Sequence, residues 1–385
     1  MNFALSEEQE QLRLQAREIL SRECPISRVR KLMQSDSAFD ADLRRVFAQA
    51  GWLGILVPEE LGGAGLSLLD AVVLLGEMGR AVVPGPFLAS SVVATLALRR
   101  AASRAQQRSW LPRIATGDAV ATLALLEGPE PRFDGAGVRA RARTSANGYR
   151  LDGTKLFVDG ADCADLLLAA FRVAAAPRNT PAASPRGFDG VALFAIERPA
   201  PGLEVEALVS VDETRRTCEV RFSSVGIGRQ ARLPRSSSAL ASVLDAGAIA
   251  IAADCLGGAE RALELAVEYV RAREQFGRPV GSFQAVQHLA AEAVAAIEPA
   301  RALLWYAGWA FDHRPREAPL AAAMAKAACA ELFRAVSRTA IEMFGGIGFT
   351  FENDMHLYFK RSLANAAAFG DASFHRERVA QLAGF

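Results

Sequence analysis

Apolar and polar positions along the 385-residue chain follow three successive patterns. From Leu5 to Thr116 the apolar residues recur at helical spacing. Leu12, Ala16 and Ile19 fall on one face of a first helix, and a second apolar helix is expected over about 67–79. Ser6, followed by Glu7 and Glu8, marks where the first helix begins: a side-chain cap with acids in the first turn. Pro58, the run Leu61-Gly62-Gly63-Ala64-Gly65 and Pro84-Gly85-Pro86 interrupt the helical pattern. From Gly117 to Leu233 the period shortens. Turn signals at Ala146-Asn147-Gly148 and Asp152-Gly153 enclose the alternating Tyr149-Arg150-Leu151. Strands are expected at 155–158, 165–171, 190–196 and 219–222, the last with Cys218, Val220 and Phe222 on one face. A Pro/Ala/Ser-rich connection lies at 174–186. From Ser237 to Gln381 the helical period returns. Leu263, Val267 and Val270 form a stripe, Glu260, Glu264, Glu268 and Arg271 lie on a different face, and the alanines of 321–330 suit close helix packing.

Helices, then strands, then helices predict an α+β fold. The expected parts are an N-terminal helical domain (1–116), a middle β domain of barrel or sandwich type (117–235) and a C-terminal four-helix bundle (236–385). Composition adds mostly exclusions. With 51% hydrophobic and 23% charged residues and a formal net charge of +1, nothing calls for nucleic acid or an anionic membrane as a partner. The most apolar stretch, 246–253, is bracketed by Asp245 and Asp254, so membrane insertion is not expected. The first residues lack the basic start and apolar core of a signal peptide, and a cytoplasmic location is expected. Cys24, Cys163, Cys218, Cys255 and Cys329 are odd in number and unpaired in spacing, which reads as buried free thiols. His288, His313, His356 and His375 are dispersed, and no metal site is expected. The glycines of 62–65 have no following Lys-Ser or Lys-Thr, so they read as a loop rather than a phosphate cradle.

Two segments carry chemistry. One runs from Tyr269 through Arg273-Glu-Gln-Phe276-Gly277-Arg-Pro279 to Phe283-Gln284; the other is Phe344-Gly345-Gly346-Ile-Gly348-Phe349. Arg273, at a helix end, offers a guanidinium fork suited to a pyrophosphate, or else a solvated helix-end cation. Gly345, Gly346 and Gly348 let main chain approach a ligand closely, or else make a turn between helices. Both segments, in this order, closely resemble the C-terminal signatures of acyl-CoA dehydrogenases, and the three-part plan matches over essentially the whole chain. The resemblance implies FAD as cofactor and α,β-desaturation of an acyl-CoA in fatty-acid or steroid side-chain degradation, with electron-transfer flavoprotein as acceptor. It also implies that Arg273, Phe276 and Gln284 meet the FAD of a neighbouring subunit, with the glycine turn near the adenosine end, so that the chain works as a homo- or hetero-dimer or tetramer.

The chain departs from the family where the base belongs. The reaction needs a carboxylate within reach of the α-proton. In the family's Tyr-Glu-Gly-Thr-like segment this chain has Ala368-Phe369-Gly370-Asp371, so Phe369 occupies the base position. At the other position used in the family, in a Leu-Glu-Arg-Leu-like context, it has Gly247. Asp371 is the nearest carboxylate, two residues on, and is a substitute base, a group that bonds the flavin, or a helix cap. Phe369 still brings a main-chain N–H to where the family polarises the thioester oxygen. The Thr-Glu-Pro-Gly-like strand end is Leu126-Glu127-Gly128-Pro129 here, and the Trp-Ile-Thr-like strand is Phe157-Val158-Asp159. Phe157 keeps an aromatic ring. Asp159 puts a carboxylate where a hydroxyl would bond the flavin edge, or ends the strand in a tighter turn with Gly160. Two stretches, 77–80 and 344–358, resemble bacterial members that pair as unlike subunits, in which the partner supplies the base. The other expectations are a non-catalytic structural subunit and an oxidase-like flavoenzyme.

Overall fold

Ser6 opens the first helix as its sequence asks. Its Oγ accepts the Gln9 N–H at 3.2 Å, and the Gln9 side chain accepts the Ser6 N–H at 3.1 Å, a reciprocal capping box. The computed structural model describes residues 4–35, 40–173 and 187–385. The connection expected at 174–186 lies outside them. Along the chain come α1 (Glu7–Glu23), α2 (Ile26–Met33), α3 (Ala41–Gln49), α4 (Leu68–Arg80), a π-helical turn at Leu88–Ala94, α5 (Thr95–Ala101) and α6 (Arg104–Thr116). Strands β1 (Ala121–Ala124), β2 (Arg141–Ser145), β3 (Gly148–Asp159), β4 (Leu166–Val173), β5 (Val191–Glu197), β6 (Leu203–Ala207) and β7 (Thr217–Gly228) follow. The rest is α7 (Ser236–Ala272), a two-strand hairpin of β8 (Glu274–Gln275) and β9 (Arg278–Pro279), then α8 (Gln284–His313), α9 (Ala318–Phe344), α10 (Met355–Ala367) and α11 (Ala372–Ala383). The fold is α+β, with helical segments at both ends of the chain and a central curled sheet.

The chain forms two compact units. One comprises Leu32–Ser67 and Pro84–Gly247, the other Met1–Lys31, Leu68–Val83 and Ala248–Phe385, so α7 contributes to both. In the first unit the sheet order is β1-β4-β2-β3-β7-β6, with β5 paired to β4. β1 and β2 lie parallel to β4, and the other pairs are antiparallel. Alternate residues turn inward, as period two requires. Phe171 sits at the centre of that core, edge-on to Phe194 and Phe222 at 6.0 and 5.0 Å. Cys218, Val220 and Phe222 are buried on one face as expected.

Asp152-Gly153 is not a turn. β3 runs through it for twelve residues, and the irregularity that the sequence signals is a bulge against β7 between Leu151 and Gly153. A second bulge, between Lys155 and Val158, carries Phe157.

In the second unit α9 packs against α8, α10 and α11, and most of its alanines between 321 and 330 are buried. Asp254 of α7 is fully buried, where an unpaired carboxylate would be untenable. Arg361 of α10 meets it at 3.2 Å and also donates to the Val83 carbonyl at 3.1 Å, and Asn365 donates to the other carboxylate oxygen at 2.6 Å. Among the described helices only α7 is long and apolar enough to cross a membrane, and 89% of its most apolar window is buried inside the chain.

Candidate functional site

In the sheet unit the expected flavin-facing segments are the turn after β1 and the second bulge of β3. Phe157 stands in that bulge at φ 55°, a left-handed conformation that is an outlier for a bulky residue, and its ring is 46% exposed. The two segments are joined directly. Leu156 donates its N–H to the Leu126 carbonyl at 2.9 Å. Lys155, entirely buried, donates to the Glu127 carboxylate and, at 3.3 Å, to the Leu125 carbonyl, with its Nζ 5.2 Å from the centre of the Phe171 ring. Burial pushes the Lys155 ammonium down to about 8 against the opposing pull of Glu127. Glu127 also accepts the N–H groups of Arg139 and Ala140 at 2.8 and 2.9 Å. At the end of β3 the Asp159 carbonyl accepts the Thr122 hydroxyl at 2.6 Å, and Gly160 follows at φ 65°. The tight-turn reading of Asp159-Gly160 therefore describes the local chain path.

In the helical unit α7 ends at Ala272, and Arg273 leads into the hairpin. Its backbone is fixed on both sides: its N–H donates to Tyr269 and its carbonyl accepts from Val280, each at 2.8 Å. Its guanidinium is exposed, and no described residue pairs with it. Phe276 and Gly277 form the hairpin tip, at φ 55° and 76°, the paired positive φ of a tight two-residue turn. The Phe276 ring is 91% exposed. Gln284 opens α8 and is exposed too, with no side chain capping the helix before it. A cation, a projecting aromatic ring, an amide and a helix N-terminus thus share one short stretch.

The glycine turn after α9 divides in two. A Cβ on Gly345 or Gly346 would meet nothing within 4 Å, so their main chain lies open to an incoming group. Gly348 is buried, and a Cβ there would lie 2.7 Å from the Ile341 carbonyl. Its glycine serves the packing of the turn.

The base-position loop follows α10. Phe369 takes φ 56° and Gly370 φ 103°. The flanking carbonyls are both held: Lys326 donates to Gly370 at 2.8 Å and to Ala366 at 3.3 Å, and His375 Nε2 lies 3.0 Å from the Phe369 oxygen. Lys326 is fully buried, and desolvation lowers its pKa. No described residue accepts the Phe369 N–H. Asp371 is exposed and caps α11, its Oδ1 accepting the Phe374 N–H at 2.8 Å. Gly247 is buried within α7. Among the described residues no group of His, Cys, Asp or Glu could hold a metal.

Sequence reading missed Lys155 and Lys326, and the role of Glu127. The available signal was faint: Lys155 has the same parity as the apolar Leu151 earlier in the strand, and Lys326 interrupts an alanine run.

Comparison with known proteins places this arrangement. Residues 6–118 match the model described as acyl-CoA dehydrogenase, N-terminal domain, and residues 237–383 match acyl-CoA dehydrogenase, C-terminal domain. The acyl-CoA dehydrogenase IpdE2 of Mycobacterium tuberculosis is 32% identical over 94% of this chain and 92% of its own length. A chain of the ChsE4-ChsE5 complex from Mycobacterium tuberculosis superposes with a TM-score of 0.88 at 27% identity, over 100% of this chain and 99% of that one. A chain of the Tcur3481-Tcur3483 steroid ACAD does so at 0.86 and 33%, over 98% of each. Matched at both ends by the family's own domains and along nearly its whole length by a relative, the chain belongs to the acyl-CoA dehydrogenase family, whose activity is FAD-dependent dehydrogenation of acyl-CoA thioesters.

Proposed function

We propose that this chain is one subunit of an unlike pair that desaturates an acyl-CoA, contributing FAD-binding and thioester-orienting groups while a partner supplies the base. The carrying observation is the loop at Phe369: its backbone is held in a strained, fixed form with a free N–H, and no carboxylate stands at the position. A structure kept at a conformational cost of about 1–3 kcal/mol without its usual side chain points to a retained main-chain role. The relatives support the pairing, since ChsE4-ChsE5 is a complex and the steroid ACAD Tcur3481-Tcur3483 likewise carries two names.

The residues present fit FAD. Arg273 is an exposed cation with no partner among the described residues, Gly345 and Gly346 present open main chain, and Phe157 offers a half-exposed ring on a strained bulge. Arg273 would bind the pyrophosphate of a neighbouring subunit's FAD, with Phe276 and Gln284 beside it. When bound, FAD supplies a hydride acceptor for the thioester's β-carbon. The Phe369 N–H would donate to the thioester oxygen and stabilise the negative charge that grows there as the α-proton leaves. Lys326 and His375 keep that N–H in place by holding the neighbouring carbonyls. Asp159 closes the strand in a tight turn with Gly160, and if its side chain also faced the bound flavin its carboxylate would disfavour added negative charge there.

Asp371 is the alternative base. It would have to leave the α11 cap to act, giving up about 1 kcal/mol. We assign electron-transfer flavoprotein as acceptor, a fatty-acid or steroid side chain as the acyl class, and the cytoplasm as location, on the family's chemistry and the steroid ACAD relative.

The test is the visible spectrum of the chain purified alone and after co-expression with a dehydrogenase-like partner. The expected result is a flavin spectrum, bleached by acyl-CoA, in the paired preparation only. Bleaching in the lone chain would transfer the base to Asp371. No flavin in either preparation would leave a structural subunit.

A further inference from the structure

Lys155 and Phe157 are two unfavourable choices placed two residues apart. Burying an ammonium with its carboxylate rarely stabilises a fold more than an apolar pair of similar volume would. A phenylalanine at φ 55° is strained as well. Both lie on the short stretch of β3 that faces the turn after β1. Lys155 reaches across the interior of the curled sheet, below the Phe171 ring, to a carboxylate already anchored by two main-chain N–H groups at Arg139 and Ala140. Its ammonium also takes the Leu125 carbonyl, so one side chain fixes the turn at two points. Beside it the Leu156 N–H bonds the Leu126 carbonyl. Sequence places the family's two flavin-contacting segments at Leu126–Pro129 and Phe157–Asp159, and this pair spans them.

We propose that Lys155 and Glu127 are positioning residues for the cofactor: a buried clasp that holds the turn after β1 against the Phe157 bulge and thereby sets how tightly the chain holds FAD. The inference rests on the reading that this chain's sheet unit contributes to an FAD site. Neither side chain is assigned a contact with FAD; both act through the backbone they fix. The clasp differs from a stabilising ion pair in what its loss should change. Removing both charges together strands neither of them, and glutamine at position 127 keeps an acceptor for the Arg139 and Ala140 amides. The double variant Lys155→Met/Glu127→Gln should therefore fold, yet leave the turn and the bulge free to part.

The experiment uses the flavin-containing preparation, lone or paired. FAD is stripped from wild type and from the double variant, and each apoprotein is titrated with FAD by flavin fluorescence quenching. Apoprotein melting and the circular dichroism of the bound flavin are recorded alongside. The expected result is an apoprotein melting within about 3 °C of wild type, an FAD dissociation constant raised about tenfold or more, and an altered flavin dichroism. A wild-type FAD constant and dichroism in the double variant would overturn the clasp while leaving the proposed function intact. Weaker binding in step with a large drop in apoprotein melting would reduce the pair to a structural role and overturn it too. A wild type that takes up no FAD would overturn the proposed function, and this inference with it.

Discussion

Lys155 shows what burial does to a single charge. With Glu127 as the carboxylate facing it, its folded pKa is still held near 8, below the ordinary 10.5, because desolvation outweighs the attraction. A folded pKa below the unfolded one means that between about pH 8 and 10.5 the unfolded chain binds the extra proton, so stability rises with pH across that window. At 1.36 kcal/mol per unit the rise from this group is about 3 kcal/mol. The difference between wild type and Lys155→Met/Glu127→Gln, taken at each pH, isolates this group. Urea denaturation at pH 7.5 and pH 10.5 should show wild type gaining on the variant. An unchanged difference would mean that Lys155 is not buried as described. Asp371 belongs to the same scale. Asp371→Ala should destabilise by about 1 kcal/mol through the lost cap, while Asp371→Asn, which still caps, should leave both stability and turnover of the paired enzyme nearly unchanged. Loss of turnover by orders of magnitude in Asp371→Asn would make it the base. Here the sequence was half legible. An acid three residues before Phe374 is a readable cap, but nothing local distinguishes Lys155 or Lys326 from a solvated lysine, because their burial is decided by strands and helices distant in sequence.

At the scale of elements, the helices were legible where caps and periods agree. Ser6, the break at Pro84-Gly85-Pro86 and the stripe through Leu263 and Val270 need only local rules. The short strands β1 and β6 and the full length of β3 were less so. Asp152-Gly153 has the composition of a turn, and only pairing with β7 converts it into a bulge inside a longer strand. Elements distant in sequence are joined by polar groups that no pattern displays. Arg361 ties α10 to Asp254 on α7 and to the Val83 carbonyl beyond α4, with Arg361 and Asp254 both wholly buried. Arg361→Met would leave the Asp254 charge with Asn365 but without its cation, and breaking a buried pair in this way costs about 3–5 kcal/mol. Denaturant unfolding should show that loss as a lower midpoint. Because α10 ends in the loop that carries Phe369, the variant should also weaken thioester binding in whatever protein survives purification. A midpoint equal to wild type would show that the pair carries no net stability.

For the whole molecule, the distribution of unfinished contacts says more than the net charge of +1. Inside the units the buried Lys155 and Arg361 meet carboxylates, and the buried Lys326 donates to main-chain carbonyls. Outward, in the stretch from Arg273 to Gln284, Arg273 has no partner among the described residues, Phe276 is 91% exposed at a left-handed turn, and a 30-residue helix begins without a side-chain cap. Solvent exposure of this combination brings the chain no stability of its own, so its use lies in something the chain meets. That separates two kinds of loss. Arg273→Ala removes no contact within the described residues, and the melting of the lone chain should shift by no more than the equivalent of about 0.5 kcal/mol. The paired assembly, in contrast, should lose flavin on gel filtration, with the absorbance ratio of flavin to protein falling several-fold while the elution volume of the pair is kept. Lysine at the same position should restore charge without the planar two-pronged geometry, and only part of the flavin with it. If Arg273→Ala retained full flavin in the pair, the arm would be an interface element alone, and the FAD site would have to be completed without it.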